Sequence, residues 1–334
     1  MTPIQSCIIN KSNSKNPVWF MRQAGRYLPE FREIRIKNPN FIELCLNKKL
    51  TPEITLQPLK RFKLDAAIIF SDILMLPFGL GQKVEFKKNY GPILGDLDIK
   101  KASSIDEIDF IKKIFPVYKA INKVSQNELL KGKSTIGFVG APWTLLVYIL
   151  NKKSPKKELR KDFFKDQFLI NRILDLLDKF LKIHIKNQIE NGAKVIQIFD
   201  SWAGLLGEKD LPNYVYIPTL SLVDYVKSLN IPVICFPRGI SNYKDYCEIV
   251  KPNAISIDYN IDPTKIIKEI DIPVQGGLDP KVLLTDKDNL KKEIIRYLEI
   301  FKDHPYIFNL GHGVLPETNP EMMEYLVQTV REYK

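Results

Sequence analysis

Val195-Ile196-Gln197-Ile198-Phe199-Asp200 is a short run of β-branched and aromatic residues closed by an acid, and it reads as one strand of a parallel sheet. A segment of helical period precedes it and another follows. The same alternation recurs along the chain, with apolar runs bounded by Gly, Pro or Asp at Val18 to Met21, Ala66 to Phe70, Thr135 to Gly140, Pro232 to Pro237, Ala254 to Asp258, Pro273 to Gly277 and Tyr306 to Leu310. With the quoted run these make eight strands. Several of the intervening helices carry start signals, namely Thr51-Pro52-Glu53, Asp262-Pro263 and Asp279-Pro280. Eight βα units in 334 residues, without a linker-like Gly/Ser or Pro tract, predict one (β/α)8 TIM-type barrel over residues 1–334. The barrel is expected to carry an N-terminal extension and, after the second strand, a hairpin insertion between Gly79 and Gly95. A doubly wound nucleotide fold is disfavoured, because no G-x-G-x-x-G follows the first strand and no Walker-type loop occurs.

Composition narrows the function classes. The chain is 45% hydrophobic and 27% charged, the balance of a folded protein and not of a disordered or collagenous one. Its net charge is +11, but only ten of the fifty basic residues are Arg. The Lys fall in short runs such as Lys48-Lys49, Lys87-Lys88, Lys156-Lys157 and Lys291-Lys292, which read as solvated helix faces and loops. No stripe interleaves basic residues with stacking aromatics, so a general compositional bias toward Lys, Asn and Ile is a better reading of the charge than a nucleic-acid footprint. Cys7, Cys45, Cys235 and Cys247 are too scattered for a disulfide framework or a paired metal site. No run of about 18 apolar residues occurs, and the N-terminus lacks a signal-peptide pattern, so no membrane association and a cytoplasmic location are expected.

In a barrel of this class, chemistry gathers where the strands end. The residues there are Arg22 to Arg26, Ser71-Asp72, Ala141-Pro142-Trp143, Ser201-Trp202, Arg238, Tyr259, the Gly277 turn and Gly311-His312-Gly313. Arg22, Arg26, Arg32 and Arg35 fall within fourteen residues, beginning at the first of these regions. Guanidinium groups bind carboxylate or phosphate through paired hydrogen bonds, which suits a ligand with several acid groups. Gly25 would let backbone approach it closely. Arg32, beside Glu30 and Glu33, reads instead as part of an exposed helix. Asp72 is open to two readings, a functional carboxylate or the N-cap of the next helix. His184 and His304 read as structural.

Met21-Arg22-Gln23-Ala24-Gly25-Arg26-Tyr27-Leu28-Pro29-Glu30-Phe31-Arg32-Glu33 closely resembles the N-terminal signature of the uroporphyrinogen decarboxylase family. Gly137 to Tyr148, Phe308 to Pro316, and Phe70-Ser71-Asp72-Ile73-Leu74 are similar to further signatures of that family, in a consistent order along the chain. The resemblance implies a barrel, usually a homodimer, that needs no metal or organic cofactor. It implies decarboxylation of the four acetate side chains of uroporphyrinogen III, a polycarboxylate tetrapyrrole, to give coproporphyrinogen III. Substrate-binding positions carry over to Arg22, Gln23, Ala24, Gly25, Arg26, Asp72, Tyr148, Ser201 and His312. Catalytic roles are expected at Asp72, Arg22, Arg26, Tyr148 and His312, with Asp72 as counter-charge to a cationic pyrrole and His312 as a cationic carboxylate binder or an acid. The sequence departs from the family pattern at Asn151, Lys152, Gly277 and Asn319. The rival expectation is a barrel methyltransferase of the same superfamily with zinc held by His and Cys, but no Cys accompanies His312.

Overall fold

The computed structural model describes residues 1–12, 16–87, 90–155 and 158–333. Lys88 and the pair Lys156-Lys157, read above as solvated, lie outside the described residues.

Among the described residues the strands are β1 (Ala66–Ile68), β2 (Val84–Lys87), β3 (Gly91–Leu94), β4 (Ser134–Gly140), β5 (Val195–Asp200), β6 (Val233–Pro237), β7 (Ala254–Ile257), β8 (Val274–Gly276) and β9 (Tyr306–Ile307). A parallel sheet runs β1-β4-β5-β6-β7-β8-β9, each strand joined to the next through at least one helix. The run expected as the first strand, Val18 to Met21, is not a laddered strand; only Val18 forms a bridge, parallel to Phe308. That bridge nevertheless closes the circle. On one side, Phe308 N donates to Pro17 O (2.8 Å) and Trp19 N to Phe308 O (3.4 Å). On the other, Asp65 N donates to Val18 O (2.9 Å), and the Asp65 carboxylate accepts from Val18 N (2.7 Å). Met21 leaves strand geometry because its N–H donates to the Asn309 side chain (3.2 Å) and the chain then turns sharply into the arginine loop.

Period-two alternation divides the strand residues between two cores. Ala66, Ile68, Ile136, Val195, Ile234, Phe236, Ala254 and Ile307 face the barrel interior with Trp19 and Met21. Their alternates, including Ala67, Val139, Ile196, Ile198, Val233, Cys235, Ile255 and Val274, join the larger core shared with the helices. The N-terminal extension forms the helix Pro3–Ile9, whose Ile4, Cys7 and Ile8 pack into the interior core. It therefore plugs the barrel. Thr2 forms a capping box with Gln5 and hydrogen-bonds Ser134 Oγ at the start of β4 (2.5 Å).

Two of the three helix starts hold in detail. Asp262 caps the helix Pro263–Glu269, and Asp279 caps Pro280–Leu284, which is a 3-10 helix. The third is corrected: Thr51 lies inside the helix Leu50–Arg61, where its hydroxyl donates to Leu44 O (2.9 Å), and the Asn47 side chain receives the first N–H groups instead. β2 and β3 pair antiparallel as a hairpin, from Val84 opposite Leu94 to Lys87 opposite Gly91. Contacts from Phe86 through Phe41 to Phe70 tie it to the segment just after β1, two residues before Asp72. Three of the four departures from the family pattern have local accounts: Gly277 sits at φ +98°, Lys152 ends its helix at φ +60°, and Asn319 caps the helix Pro320–Glu332.

Asp65 is the hub of closure, since its carboxylate also takes a hydrogen bond from Arg331 on the last helix (2.6 Å). Asp65→Ala leaves the Val18 N–H and the guanidinium without that acceptor. The expected loss is about 2–3 kcal/mol of unfolding free energy in denaturant titration; a loss within experimental error would mean the barrel closes without it.

Candidate active site

The mouth of the barrel is built on the ends of the strands and a floor of aromatics. Phe138 and Phe199 are the uppermost interior residues of their strands and are only partly buried. They pack edge to face at 5.7 Å, and Phe199 meets Phe236 at 6.4 Å. This floor is apolar and flat-sided.

Above it, the loop after Val18 is wound tightly. Gln23 N donates to Phe20 O (3.1 Å), and Arg22 occupies the third position of that turn at φ +62°, where glycine is ordinarily preferred. Holding an arginine there costs about 1 kcal/mol, and strain of this kind collects where side chains do chemistry. Two glycines make room for it. A Cβ on Gly313 would lie 2.4 Å from Arg22 Cδ, and one on Gly25 would lie 2.8 Å from Arg22 O. Gln23 is fully buried and turned away from the mouth: its Oε1 accepts from Phe20 N (3.0 Å) and its Nε2 donates to Ala66 O (3.0 Å). It fastens the loop to β1. Arg32 is exposed on the helix Pro29–Lys37, as expected, and also donates to Arg26 O (2.9 Å) and Tyr27 O (3.0 Å), while Glu30 pairs with Arg61. Arg32 thus holds the loop whose other arginines face outward.

Arg22 and Arg26 make no side-chain hydrogen bond or ion pair with a described residue. Arg22 is solvent-exposed, yet the surrounding protein, then Arg26 and Arg238, pull its pKa below the usual arginine range, against the pull of Asp72. Burial moves the Asp72 carboxyl the other way, up to about 6, against the Leu74 N–H and Arg22. Both earlier readings of Asp72 find a counterpart. Its Oδ1 accepts from Leu74 N (2.9 Å) at the approach to the helix Met75–Gly79, and its Oδ2 has no partner among the described residues. The turn holds one oxygen and leaves the other for a ligand.

Tyr148 projects from the helix Pro142–Asn151, half-buried, with its ring 6.1 Å from Trp202. Burial and the Asp72 charge raise its pKa to about 12, so it stays a neutral phenol. Ser201 follows β5 and is half-buried, with no side-chain hydrogen bond to a described residue. The expectation of a cationic His312 is corrected. Burial first, then repulsion from Arg22 and Arg238, pushes its pKa down to about 3, and its Nδ1 accepts from Gly313 N (2.7 Å). His312 is therefore neutral with its proton on Nε2, a hydrogen-bond donor and not a charge. His184, bonded to Tyr118 (3.0 Å), and His304, donating to Ile272 O (2.9 Å), are structural as expected.

One device escaped the sequence reading. Thr144 Oγ1 donates to Asp200 Oδ1 (2.6 Å) and accepts from Trp202 N (3.1 Å), while Trp143 Nε1 donates to Trp202 O (2.9 Å). Thr144 and Tyr148 lie one helical turn apart on the same face. The latch therefore fixes the Tyr148 helix against the turn that carries Ser201. The signal was present as Thr144 after Ala141-Pro142-Trp143 and as the acid closing β5, but only the fold brings them together. Cys235, the thiol nearest the rival metal reading, faces the outer core, and among the described residues no three His, Cys, Asp or Glu cluster as metal ligands.

The family model and the curated relatives point to one family. The profile of the family described as uroporphyrinogen decarboxylase (URO-D) matches residues 2–333. The chain is 42% identical to the uroporphyrinogen decarboxylase of Rickettsia bellii, over 100% of this chain and 99% of that one. It is 40% identical to that of Rickettsia felis, over 98% and 96%. Among solved structures, a methyltransferase from Methanosarcina mazei superposes with a TM-score of 0.79 at 17% identity, covering 98% of this chain and 97% of that one, which is a likeness of fold.

The latch carries its own test. Burial raises the Asp200 pKa to about 7, against the Thr144 hydrogen bonds, and its Oδ2 has no partner among the described residues. A raised folded-state pKa means that stability present at low pH is lost as pH rises through about 7. Thr144→Val removes a donor to the carboxylate and should cost about 2–4 kcal/mol at pH 8. The penalty should shrink toward pH 5, where Asp200 is protonated, and Thr144→Ser should cost much less. Equal penalties for Val and Ser in thermal unfolding would contradict the latch.

Proposed function

The chain belongs to the uroporphyrinogen decarboxylase family, and on that premise we propose that it decarboxylates the four acetate side chains of uroporphyrinogen III to methyl groups, yielding coproporphyrinogen III and carbon dioxide. The observation that carries this reading is the pairing of unpartnered Arg22 and Arg26 with the half-free Asp72 carboxylate over an aromatic floor. In our reading, residues 1–334 act as one domain, in the cytoplasm, as a homodimer. Among the described residues no helix is long and apolar enough to cross a membrane.

The chemistry follows from where electrons can go. A proton adds to a pyrrole ring carbon and leaves the ring cationic. The bond from the acetate methylene to its carboxylate then breaks, carbon dioxide departs, and the electron pair forms an exocyclic double bond that neutralises the ring. A second proton converts that methylene to methyl, and loss of the ring proton restores the pyrrole. Each turnover consumes one proton per carbon dioxide, and the substrate is its own electron sink.

The residues supply the rest. Asp72 accepts pyrrole N–H groups and faces the cation as it forms; at an effective dielectric near 20, such a pair about 4 Å apart attracts by roughly 4 kcal/mol, and roughly 1.4 kcal/mol is tenfold in rate. Only stabilisation that appears as the ring becomes cationic accelerates the step. Arg22 and Arg26 bind carboxylates. Tyr148, Ser201 and neutral His312 donate hydrogen bonds, and the backbone of Ala24 and Gly25 lets the macrocycle approach the loop. The aromatic floor takes the apolar face of the ring and excludes water, which strengthens the Asp72 interaction.

Anaerobic incubation with uroporphyrinogen III, followed by chromatography of the oxidised products, should give the seven- to four-carboxylate series; unchanged starting material would refute the reading. Asp72 acts as an anion, so kcat/KM should rise with pH through about 6, and a profile flat from pH 5 to 8 would remove that role. Gly313→Ala, at a position outside the left-handed region, would displace the Arg22 side chain. Misplacement of that size predicts a fall in kcat/KM on the order of 100-fold, with little change in thermal stability. Unaltered kinetics would show that Arg22 needs no fixed seat.

A further inference from the structure

Seven sheet strands plus the bridging segment at Val18 make eight positions around the barrel. Arg22 follows the first position and Arg238 follows the fifth, so the two arginines enter the mouth from opposite sides. Arg238 follows β6 directly, on a backbone held by hydrogen bonds. Its N–H donates to Asp200 O (3.0 Å), and its carbonyl accepts from Gly204 N (3.0 Å). The next residue, Gly239, stands at φ +83° and donates to the buried Asp258 carboxylate (2.9 Å). A Cβ on Gly204 would lie 2.5 Å from Gly239 O, so the two turns are in direct contact. The side chain, by contrast, is partly exposed and makes no hydrogen bond or ion pair with a described residue. It lies close enough to Arg22 and His312 for its charge to act on both.

Cations that face one another across a mouth without acidic partners repel, and a polyanion between them relieves the repulsion. We propose that Arg238 is a third carboxylate-binding residue, which grips a side chain on a pyrrole across the macrocycle from the ring that is reacting. Asp72 follows the second position and Arg238 the fifth, three positions away round the barrel, so a ring seated over Asp72 presents its far edge to Arg238. Uroporphyrinogen carries an acetate and a propionate on every pyrrole, and either would supply the carboxylate. This assignment rests on the decarboxylase reading. It makes Arg238 a determinant of affinity and seating, with the bond-breaking step left to the groups around Asp72.

The test compares wild type, Arg238→Gln and Arg238→Lys on uroporphyrinogen III and on the pentacarboxylate that precedes coproporphyrinogen. Failure of wild type to turn over either substrate would overturn the decarboxylase reading itself. With wild type active, Arg238→Gln should raise KM about 10-fold or more while kcat changes far less, and Arg238→Lys, which keeps the charge but loses the paired geometry, should fall between. The Lys variant keeps the test decisive should Gln impair folding, which thermal unfolding will report. A KM effect of equal size on both substrates points to a propionate, and one confined to uroporphyrinogen points to an acetate. An unchanged KM for folded variants on both substrates, or a loss confined to kcat, would overturn the proposal.

Discussion

Val18 joins both free edges of the parallel sheet through a few backbone hydrogen bonds and one carboxylate, Asp65. Everything at the mouth depends on that closure, because the segment that completes the barrel continues without interruption into the loop bearing Arg22 and Arg26. A longer first strand would carry Met21 and Arg22 straight on along the barrel. Instead Asn309 takes the Met21 N–H, the chain turns at Phe20 to Gln23, and Arg22 is held at a backbone angle unusual for an arginine. The strain is sustained from all sides: by Gln23 inside, by Gly25 beside the Arg22 carbonyl, by Gly313 beside its side chain, and by Arg32 on the loop carbonyls.

The electrostatics follow the same logic. Among the described residues Arg22, Arg26 and Arg238 make no ion pair, Asp72 has one oxygen bonded to Leu74 N and the other unbonded, and His312 is neutral among arginines. Such an arrangement is poor for stability and well matched to a polycarboxylate whose ring becomes positive during reaction. On the proposed reading, affinity belongs to the rim and counter-charge to Asp72, so the two demands do not compete for the same residue.

The parallel sheet was legible because every strand but the first reads as a clear apolar run with punctuation at both ends. The first strand was overread: Val18-Trp19-Phe20-Met21 has the composition of a strand, but its partners for a full ladder are replaced by the side chains of Asp65 and Asn309. The signature residues were legible as types, not as states. Nothing local in Gly311-His312-Gly313 says that burial and two distant arginines will hold the imidazole neutral. Nor does Gln23, inside the arginine cluster, announce that its amide is spent on Phe20 and Ala66. Thr144, Asp200 and Arg238 acquire meaning only through contacts between segments far apart in sequence, which periodicity and spacing do not encode.

The central claim is that Asp72 is an ionised carboxylate kept in a place that penalises its charge, so that the charge is available to a cationic ring. A group whose folded-state pKa is raised to about 6 from its ordinary value near 3.8 destabilises the fold once pH exceeds that range. Paired measurements on Asp72→Asn address this directly: unfolding free energy from pH 4 to 8, and the decarboxylation rate with saturating substrate. The account predicts a variant about 1–3 kcal/mol more stable than wild type at pH 8, a gain that fades toward pH 4, and a rate lower by roughly 100-fold or more. A variant that decarboxylates at the wild-type rate, or gains no stability at high pH, would contradict it.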